Sequence, residues 1–180
     1  TDGTITSSVR ANPSAGFSIV TYSGNGSTSG SVGHGLNASP SMVIIKQRNG
    51  TKNWKVGHTS LASTHMMTLD ETYATGASSW NGVDSNVFYP ARSGDTYNNT
   101  SGDNYVAYCF APVAGYSAFG TYTGNGSADG PFVYTGFRPA FVLYNKTDST
   151  SNWYIDDYQI DGYNYANKHL YANLANYKRY

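Results

Sequence analysis

Apolar and polar residues alternate in short runs along this chain, and clusters of glycine, asparagine and proline separate the runs. A period of two predicts β-strands, because successive side chains on a strand point to opposite faces of the sheet. With turn signals every ~8–12 residues, the pattern predicts about seven short strands before residue 115, as in a β-sandwich. The clearest runs lie at 17–22, 42–46, 53–58, 64–69, 86–89 and 104–110.

The best helical candidate is the segment 164–177, where apolar residues recur at helical spacing. Four asparagines in this segment weigh against a helix. Elsewhere, Asn-Gly pairs at 25–26, 49–50 and 81–82 predict tight hairpin turns, because a type I′ turn needs a positive φ at both central residues. The pattern as a whole predicts an all-β fold.

An internal repeat divides the chain. The hexapeptide Tyr-Ser-Gly-Asn-Gly-Ser at 22–27 returns as Tyr-Thr-Gly-Asn-Gly-Ser at 122–127, which is 100 residues later. Each copy is followed at similar distances by a glycine, a proline, an apolar run and an Asn-Trp pair. The repeat predicts two tandem, jelly-roll-like β-sandwich units, at 16–114 and 115–180, preceded by a polar N-terminal arm at 1–15.

The second unit is expected to lack its terminal strand or strands. The counterpart of the run 105–110 would fall at 205–210, beyond Tyr180. A sandwich without this strand has an edge of unpaired backbone groups, which is a template for another chain. Three interpretations are open: the protein continues, a neighbouring subunit donates the strand with its arm 1–15 as donor, or the unit is a reduced sandwich.

Charged residues make up 12% of the chain, about half of the ~25% that is typical of soluble domains. Lys plus Arg and Asp plus Glu both number 11, so no basic field attracts nucleic acid. No stretch approaches the ~20 apolar residues of a membrane span. This composition favours an extracellular or assembled protein, and it predicts neither nucleic-acid binding nor membrane insertion.

Four longer motifs resemble a tandem repeat domain of virion proteins from marine tailed bacteriophages. They are Gly-Phe-Ser-Ile-Val-Thr-Tyr-Ser-Gly-Asn-Gly at 16–26, Val-Gly-His-Gly-Leu at 32–36, Tyr-Val-Ala-Tyr-Cys-Phe at 105–110 and Gly-Pro-Phe-Val-Tyr-Thr-Gly-Phe-Arg-Pro at 130–139. Such proteins are usually described as tail-fibre or structural proteins. The resemblance implies a location in a virion or outside the cell, and it says more about architecture than about activity.

The sequence contains few candidates for catalytic residues, and we predict that the protein is not an enzyme. Glycoside hydrolysis generally uses two carboxylates across the scissile bond, whereas Glu71 is the only glutamate here. Its neighbour Asp70 would point to the opposite face of a strand. The single cysteine, Cys109, lies in an apolar run and is expected to be buried and unreactive. The four histidines lack the spacing of metal ligands.

Calcium is the one cofactor for which the sequence offers candidates. Asp156, Asp157 and Asp161 lie close together, but an EF-hand register that starts at Asp157 puts Lys168 where the bidentate glutamate belongs. A regular calcium loop is therefore excluded, and an irregular site formed by the three aspartates is the remaining candidate.

Aromatic residues are the main candidates for binding. Trp54 and Trp153 occupy equivalent repeat positions and are expected to pack inside the fold. Aromatic residues outside the repeat suit either a protein interface or a glycan platform, and we favour the interface because most of them lie in the incomplete unit. These candidates are Trp80, Tyr154, Tyr158, Tyr163, Tyr165, Tyr171 and Tyr177.

The sequence therefore predicts a structural module of an extracellular assembly, such as a phage tail fibre or virion appendage. Its partners would be copies of itself in a homo-oligomer or filament, together with a cell-surface glycan. One alternative is a subunit of an extracellular filament that assembles by strand donation. Another is a glycan-degrading domain, which the lone glutamate disfavours.

Overall fold

The computed structural model describes residues 2–160 and 168–175. In these residues the fold is all-β, as predicted: the only helical element is a 3-10 turn, Pro13–Ala15. The strands, in chain order, are β1 (Ser7–Asn12), β2 (Phe17–Ser23), β3 (Val32–Gly33), β4 (Met42–Gln47), β5 (Lys55–His58), β6 (His65–Thr68), β7 (Gly76–Ala77), β8 (Val87–Phe88), β9 (Asn104–Phe110), β10 (Phe141–Tyr144), β11 (Tyr154–Asp157) and β12 (Leu170–Tyr171).

The main element is an antiparallel seven-stranded sheet with the order β1-β2-β9-β4-β5-β6-β7. Strands β4 and β5 form a hairpin, as predicted, but residues 48–54 connect them and the predicted tight turn at Asn49-Gly50 is wrong, because neither residue has the positive φ of a type I′ turn. Strand β9 is the last strand of the first unit along the chain, yet it lies between β2 and β4. It is therefore paired on both sides, and both neighbouring strands depend on it.

The period-two pattern assigns each strand two faces. On β4, Val43 and Ile45 are buried on one face, while Met42 and Ile44 are half-buried on the other. The first face belongs to the main hydrophobic core. This core also contains residues of the two-stranded β3–β8 sheet and of the loop that precedes β8. That core includes Val20, Tyr22, Val32, Val43, Ile45, Trp80, Phe88, Tyr105, Ala107 and Cys109.

The N-terminal arm needs a correction. We expected residues 1–15 to be irregular, but β1 pairs with β2 over six residue pairs, from Ser7 with Tyr22 to Asn12 with Phe17. Ile5 is buried in the main core, and its N–H donates to the Ser31 carbonyl at 2.9 Å. The arm has too few apolar residues to reveal a strand, and its order comes from backbone pairing with β2.

The second unit repeats part of the first. The pairs Ile44–Val56 and Leu143–Ile155 correspond with an offset of 99 residues in both strands, so β10–β11 has the register of β4–β5. Strand β12 takes the place of β6, because Ile155 pairs with Leu170 as Val56 pairs with Met67. Three strands of the repeat therefore share one arrangement.

Other expected strands of the second unit are not present. Residues 119–122 and 132–134 are irregular, although the repeat aligns them with segments of the first unit that contribute to β2 and β3. The helical candidate 164–177 lies partly outside the described residues, and its residues 170–171 form β12. Across the described part of the second unit, the fold is one antiparallel three-stranded sheet, β10-β11-β12.

The two units pack against each other on the second face of the large sheet. Trp153 is buried in a separate hydrophobic cluster with Val56 and Met67, and Leu143 packs against this cluster. The Trp153 indole N–H donates to the Thr68 carbonyl at 2.8 Å. The second unit is thus attached to the first through β5 and β6.

Candidate interaction surface

The first copy of the repeated hexapeptide is docked against the loop 96–103. The Gly24 N–H donates to the Asp103 carbonyl at 2.8 Å, and the Gly26 N–H donates to the Asn99 carbonyl at 2.8 Å. A Cβ at Gly24 would lie 2.1 Å from the Thr100 carbonyl oxygen, so only glycine allows this approach. The Tyr22 hydroxyl donates to the Asn98 carbonyl at 2.7 Å.

This docking corrects the prediction of a hairpin turn at Asn25-Gly26. Gly26 has a φ of +73°, but Asn25 does not have the positive φ that a type I′ turn requires. The strand that follows, β3, pairs with β8 rather than with β2. The hydrogen bonds to the loop 96–103 override the local turn preference.

Asn99 and Lys52 hold the loop in place. The buried Asn99 amide donates to the Asn25 side-chain oxygen and to the Ser27 carbonyl, both at 2.8 Å. The Lys52 ammonium donates to the Thr100 hydroxyl at 2.6 Å and to the Asp103 carboxylate at 3.0 Å. This contact with Lys52 holds the pKa of Asp103 below its ordinary value.

The second copy keeps the local geometry but has no docked loop. The Ser127 N–H donates to the Asn125 side-chain oxygen at 3.0 Å, as the Ser27 N–H does to Asn25 at 2.9 Å. A Cβ added at Gly124 would have no described atom within 4 Å, in contrast to one at Gly24. The loop shape is therefore local, whereas the docking depends on residues that the described second unit does not supply.

Exposure of apolar residues follows the same contrast. At several positions where the first unit buries a core side chain, the second unit exposes the equivalent one. Tyr22, Val32 and Val43 are 4%, 0% and 1% exposed, while Tyr122, Phe132 and Val142 are 55%, 91% and 41% exposed. We call the exposed side chains at these core-equivalent positions the second-unit surface, and it comprises Tyr122, Phe132, Tyr134 and Val142.

Segments 80–111 account for the difference. In the first unit, Tyr22 stacks on Tyr105 with ring centroids 5.1 Å apart and meets Phe88 edge-on at 5.9 Å. Val32 pairs with Phe88 of β8, and Val43 pairs with Cys109 of β9. None of the described residues of the second unit takes the place of β8 or β9.

Strand β10 has one edge without a partner among residues 2–160 and 168–175, and we call it the open edge. Within these residues β10 pairs with β11 alone, whereas β4 pairs with both β5 and β9. The Tyr158 N–H donates to the Ala140 carbonyl at 3.2 Å, so Ala140 faces β11. Because consecutive residues of a strand direct their backbone groups to alternate sides, Phe141 and Leu143 direct theirs to the open side.

The structure places the predicted aromatic candidates differently from one another. Trp80 is a correction: it is buried in the main core and stacks on Phe88 at 6.4 Å, so it offers no exposed face. Tyr154 stacks on Tyr144 at 5.3 Å and packs against Tyr171 at 5.1 Å. Tyr158 is exposed. Tyr163, Tyr165 and Tyr177 lie outside the described residues.

The calcium candidates are engaged in other contacts. Asp156 accepts a hydrogen bond from the His169 ring, and Asp157 accepts a hydrogen bond from the Gln159 N–H at 2.8 Å. Asp161 lies outside the described residues, so an irregular site stays a prediction. Within 2–160 and 168–175, no group of three His, Cys, Asp or Glu side chains is placed to hold a metal ion.

The catalytic candidates also have structural contacts. Asp70 accepts the Trp54 N–H at 3.0 Å, and Glu71 accepts a hydrogen bond from the Asn53 amide at 3.3 Å. Cys109 is buried in the main core, where burial raises the pKa of its thiol to about 12. A thiol with this pKa is protonated at neutral pH and is a poor nucleophile.

His34 is a buried residue whose two ring nitrogens are both used. Its Nδ1 accepts the Leu36 N–H at 3.2 Å, so Nε2 carries the proton and donates to the Asp84 carbonyl at 3.1 Å. Burial lowers the pKa of His34, and burial likewise lowers the pKa of His58. The folded protein therefore holds His34 neutral where an unfolded chain would protonate it.

This leads to a prediction about pH. Below an unfolded pKa of about 6.5 the unfolded state binds more protons, so the free energy of unfolding should fall as the pH is lowered, by up to about 1.4 kcal/mol per pH unit for each such histidine. Urea denaturation at several pH values measures this slope. The His34→Gln protein should be less stable at pH 8 but show a shallower slope between pH 6.5 and 5. An unchanged slope would contradict the assignment to His34.

Comparisons with known proteins identify a family whose function is unknown. Residues 1–179 match the profile of a family described as a domain of unknown function (DUF7483), and the chain belongs to that family. No curated protein and no solved structure matched the chain. One profile thus spans both repeat units. No helix among the described residues has the length and apolar character needed to cross a membrane.

The sequence did not point to the residues of the loop 96–103 or to the exposed residues of the second unit. Asn98 and Asn99 lie in a loop rich in Asn, Thr and Gly, where they resemble any solvated turn. Phe132 and Phe141 have the pattern of ordinary strand residues. The one available signal was the repeat itself, because it aligns Phe132 with a core valine and Val142 with another.

Proposed function

We propose that this chain is a structural module of an extracellular assembly and acts by association through the second-unit surface. The observation that supports this most strongly is the exposure of Tyr122, Phe132 and Val142 at positions that the first unit buries. Large exposed apolar side chains of this kind mark interaction sites, because contact with water costs free energy that burial in an interface recovers. The finer architecture, two tandem sandwiches, would be completed only in the assembly.

The type of partner follows from the same surface. It combines exposed aromatic side chains with an open strand edge, and this combination suits polypeptide better than sugar. Trp80, the one tryptophan among the glycan candidates, is buried. We therefore propose self-association, or association with neighbouring subunits, as the main activity. Recognition of a host glycan rests on Tyr158 alone among the described candidates.

The location and the absence of catalysis belong to this proposal as well. Placement in a phage tail fibre or virion appendage rests on the motifs at 16–26, 32–36, 105–110 and 130–139. A non-enzymatic role is supported by the positions of Asp70 and Glu71, which bind neighbouring backbone and amide groups. Hydrolysis of a host polysaccharide that Glu71→Gln abolishes would overturn it.

The filament alternative requires a donor strand, and residues 1–15 are a poor choice. Donation of β1 would break its six pairs with β2 and remove Ile5 from the main core. A filament in which copies exchange their arms is therefore disfavoured relative to association through the second-unit surface.

Sedimentation velocity over a wide concentration range tests the proposal. The unmodified chain should associate, and a discrete trimer would fit a fibre, whereas open-ended polymers would fit a filament. Replacing Phe132 and Tyr134 by serine should weaken association by about tenfold or more, because each removes a large apolar contact. The control is Tyr73→Ser, which changes an exposed aromatic residue of the first unit. Equal loss in both variants, or a monomer at every concentration, would contradict the proposal.

A further inference from the structure

We infer that the second unit carries an acceptor site for one β-strand segment of a separate polypeptide, with the chemistry of residues 98–109. The acceptor site consists of the loop 122–127 and the open edge of β10. The inference rests on the proposed function and deepens it by naming the kind of partner. The segment would carry an asparagine equivalent to Asn99, followed by a strand that alternates inward aromatic or small residues with outward ones.

The first unit supplies the template for this site. There, β9 pairs with β4 from Met42–Phe110 to Gln47–Tyr105, and the preceding loop holds the hexapeptide 22–27 through Asn99. Strand β10 has the register of β4 relative to its other neighbour, and the loop 122–127 repeats the local Ser–Asn hydrogen bond of 22–27. The β10 edge and the local loop shape therefore resemble their first-unit counterparts, whereas the counterpart of β2 would have to become ordered on binding.

Side chains specify what the incoming strand must carry. On β9 the inward residues are Tyr105, Ala107 and Cys109, all buried. Ala107 pairs with Ile45, whose counterpart on β10 is the bulkier Tyr144. The residue opposite Tyr144 should therefore be alanine or glycine, because a larger side chain would overpack the interface.

Described segments of this chain do not fit the role of donor. The β9 strand is paired on both sides in the middle of the large sheet, and β1 is paired with β2. Releasing β9 would expose Tyr22 and Val43 in the first unit. The proposed partner is a segment of another polypeptide of the assembly that adds a strand to β10, a recognised mode of peptide binding.

A synthetic peptide with the sequence of residues 96–111 is the probe. Titration calorimetry with the intact chain should show saturable binding of one peptide per chain. A peptide in which Asn99 is alanine should bind about tenfold more weakly, because it loses the amide contacts to the loop 122–127 that Asn99 makes to the loop 22–27 in the first unit. Binding that does not depend on this asparagine would contradict the proposed recognition.

Gly124→Ala tests the loop half of the site. In the first unit a Cβ at the equivalent Gly24 would meet the Thr100 carbonyl at 2.1 Å, while Gly124 has open space around it. The variant should therefore keep the stability of the free chain and bind the peptide about tenfold more weakly, because its methyl group would clash with the incoming loop. Gly76→Ala, also in open space but in the first unit, is the control and should bind normally.

Phe141→Pro tests the strand half. Proline removes an N–H that faces the open edge and leaves the bonds from β10 to β11 in place. Phe141→Ala is the matched control, because it removes the same side chain and keeps the N–H. Weaker peptide binding in Phe141→Pro than in Phe141→Ala is expected. Equal binding by the two variants would overturn strand addition at β10.

The outcomes separate this inference from the proposed function. If the chain associates in sedimentation but does not bind the peptide, association stands and the acceptor site is wrong. If two copies instead pair edge to edge through β10, Phe141→Pro should weaken their association although the peptide does not bind, and that result also overturns the acceptor site. Peptide binding that both Gly124→Ala and Phe141→Pro weaken supports it, whatever the oligomeric state of the free chain.

Discussion

Trp153→Ala should lower the free energy of unfolding by about 3–5 kcal/mol, which is the usual cost of removing a large aromatic residue from a core. Trp153 is buried between the two units against Val56 and Met67, and its indole donates to the Thr68 carbonyl. Its loss should also loosen the β10-β11-β12 sheet from the first unit. Denaturation in urea measures the stability, and hydrogen exchange at the backbone of β5, β6 and β11 reports the loosening.

Trp54→Ala is the matched control for this experiment. Trp54 holds the equivalent position in the repeat, but it is half-buried and stacks on Tyr108 at 6.3 Å. Its removal should cost less than Trp153→Ala and should leave hydrogen exchange in β11 unchanged. If the two replacements have equal effects, Trp153 does not join the units in the way that its contacts indicate.

Gly24→Ala should destabilise the first unit by about 3 kcal/mol, the upper part of the range for overpacking, because its methyl group meets a backbone carbonyl. The Thr100 oxygen lies 2.1 Å from the added Cβ, and backbone cannot turn aside as a flexible side chain would. The loop 96–103 would have to move away, which would break the hydrogen bonds from Gly24 and Gly26. Thermal and urea denaturation would measure the loss.

The repeat provides the comparison for this replacement too. Gly124→Ala changes the equivalent residue of the second unit, where open space surrounds the position, and the free chain should keep its stability within about 0.5 kcal/mol. A large loss in Gly124→Ala would show that the second copy is packed in the free protein. A small loss in Gly24→Ala would show that the loop 96–103 adapts easily.

Strands with a clear alternation were predictable from the sequence. The runs at 17–22, 42–46 and 104–110 became β2, β4 and β9 with boundaries that differ by at most one residue. Each of these strands has one face buried in the main core, so its apolar and polar residues alternate clearly with a period of two. The repeat also predicted that β10 would correspond to β4, because the apolar run and the following Asn-Trp pair recur together.

Features that depend on distant residues were not predictable in this way. The Asn25-Gly26 pair has the strongest local signal for a hairpin. However, the buried Asn99 amide, 74 positions away in the sequence, donates a hydrogen bond to the Asn25 side chain. Strand β1 has mostly polar residues and forms because β2 offers it a partner. Trp80 fell outside the repeat and was expected at a surface, but Gly57 leaves room for its ring in the core.

The candidate surface was predictable only in outline. The repeat led us to expect an open strand edge in the second unit, and among the described residues β10 pairs with β11 alone. The aromatic residues proposed for binding were those outside the repeat, whereas the exposed ones include Tyr122 and Phe132 inside it. From the sequence, Tyr122 and Phe132 are expected to be buried like their equivalents in the first unit. Their exposure becomes evident only when the structure shows that no described segment covers them as β8 and β9 cover Tyr22 and Val32.

The central position of β9 also has a consequence for how the protein folds. Pairing Phe110 with Phe17 closes a loop of more than 90 residues, whereas β4, β5 and β6 are joined by short connections. Local hairpins form quickly and long loops close slowly, so we expect β9 to enter the sheet last. The described second unit has counterparts of β4, β5 and β6 but none of β9. If a separate molecule supplies that strand, as we infer, the slow final step of folding becomes an encounter between two molecules, and its rate depends on their concentrations.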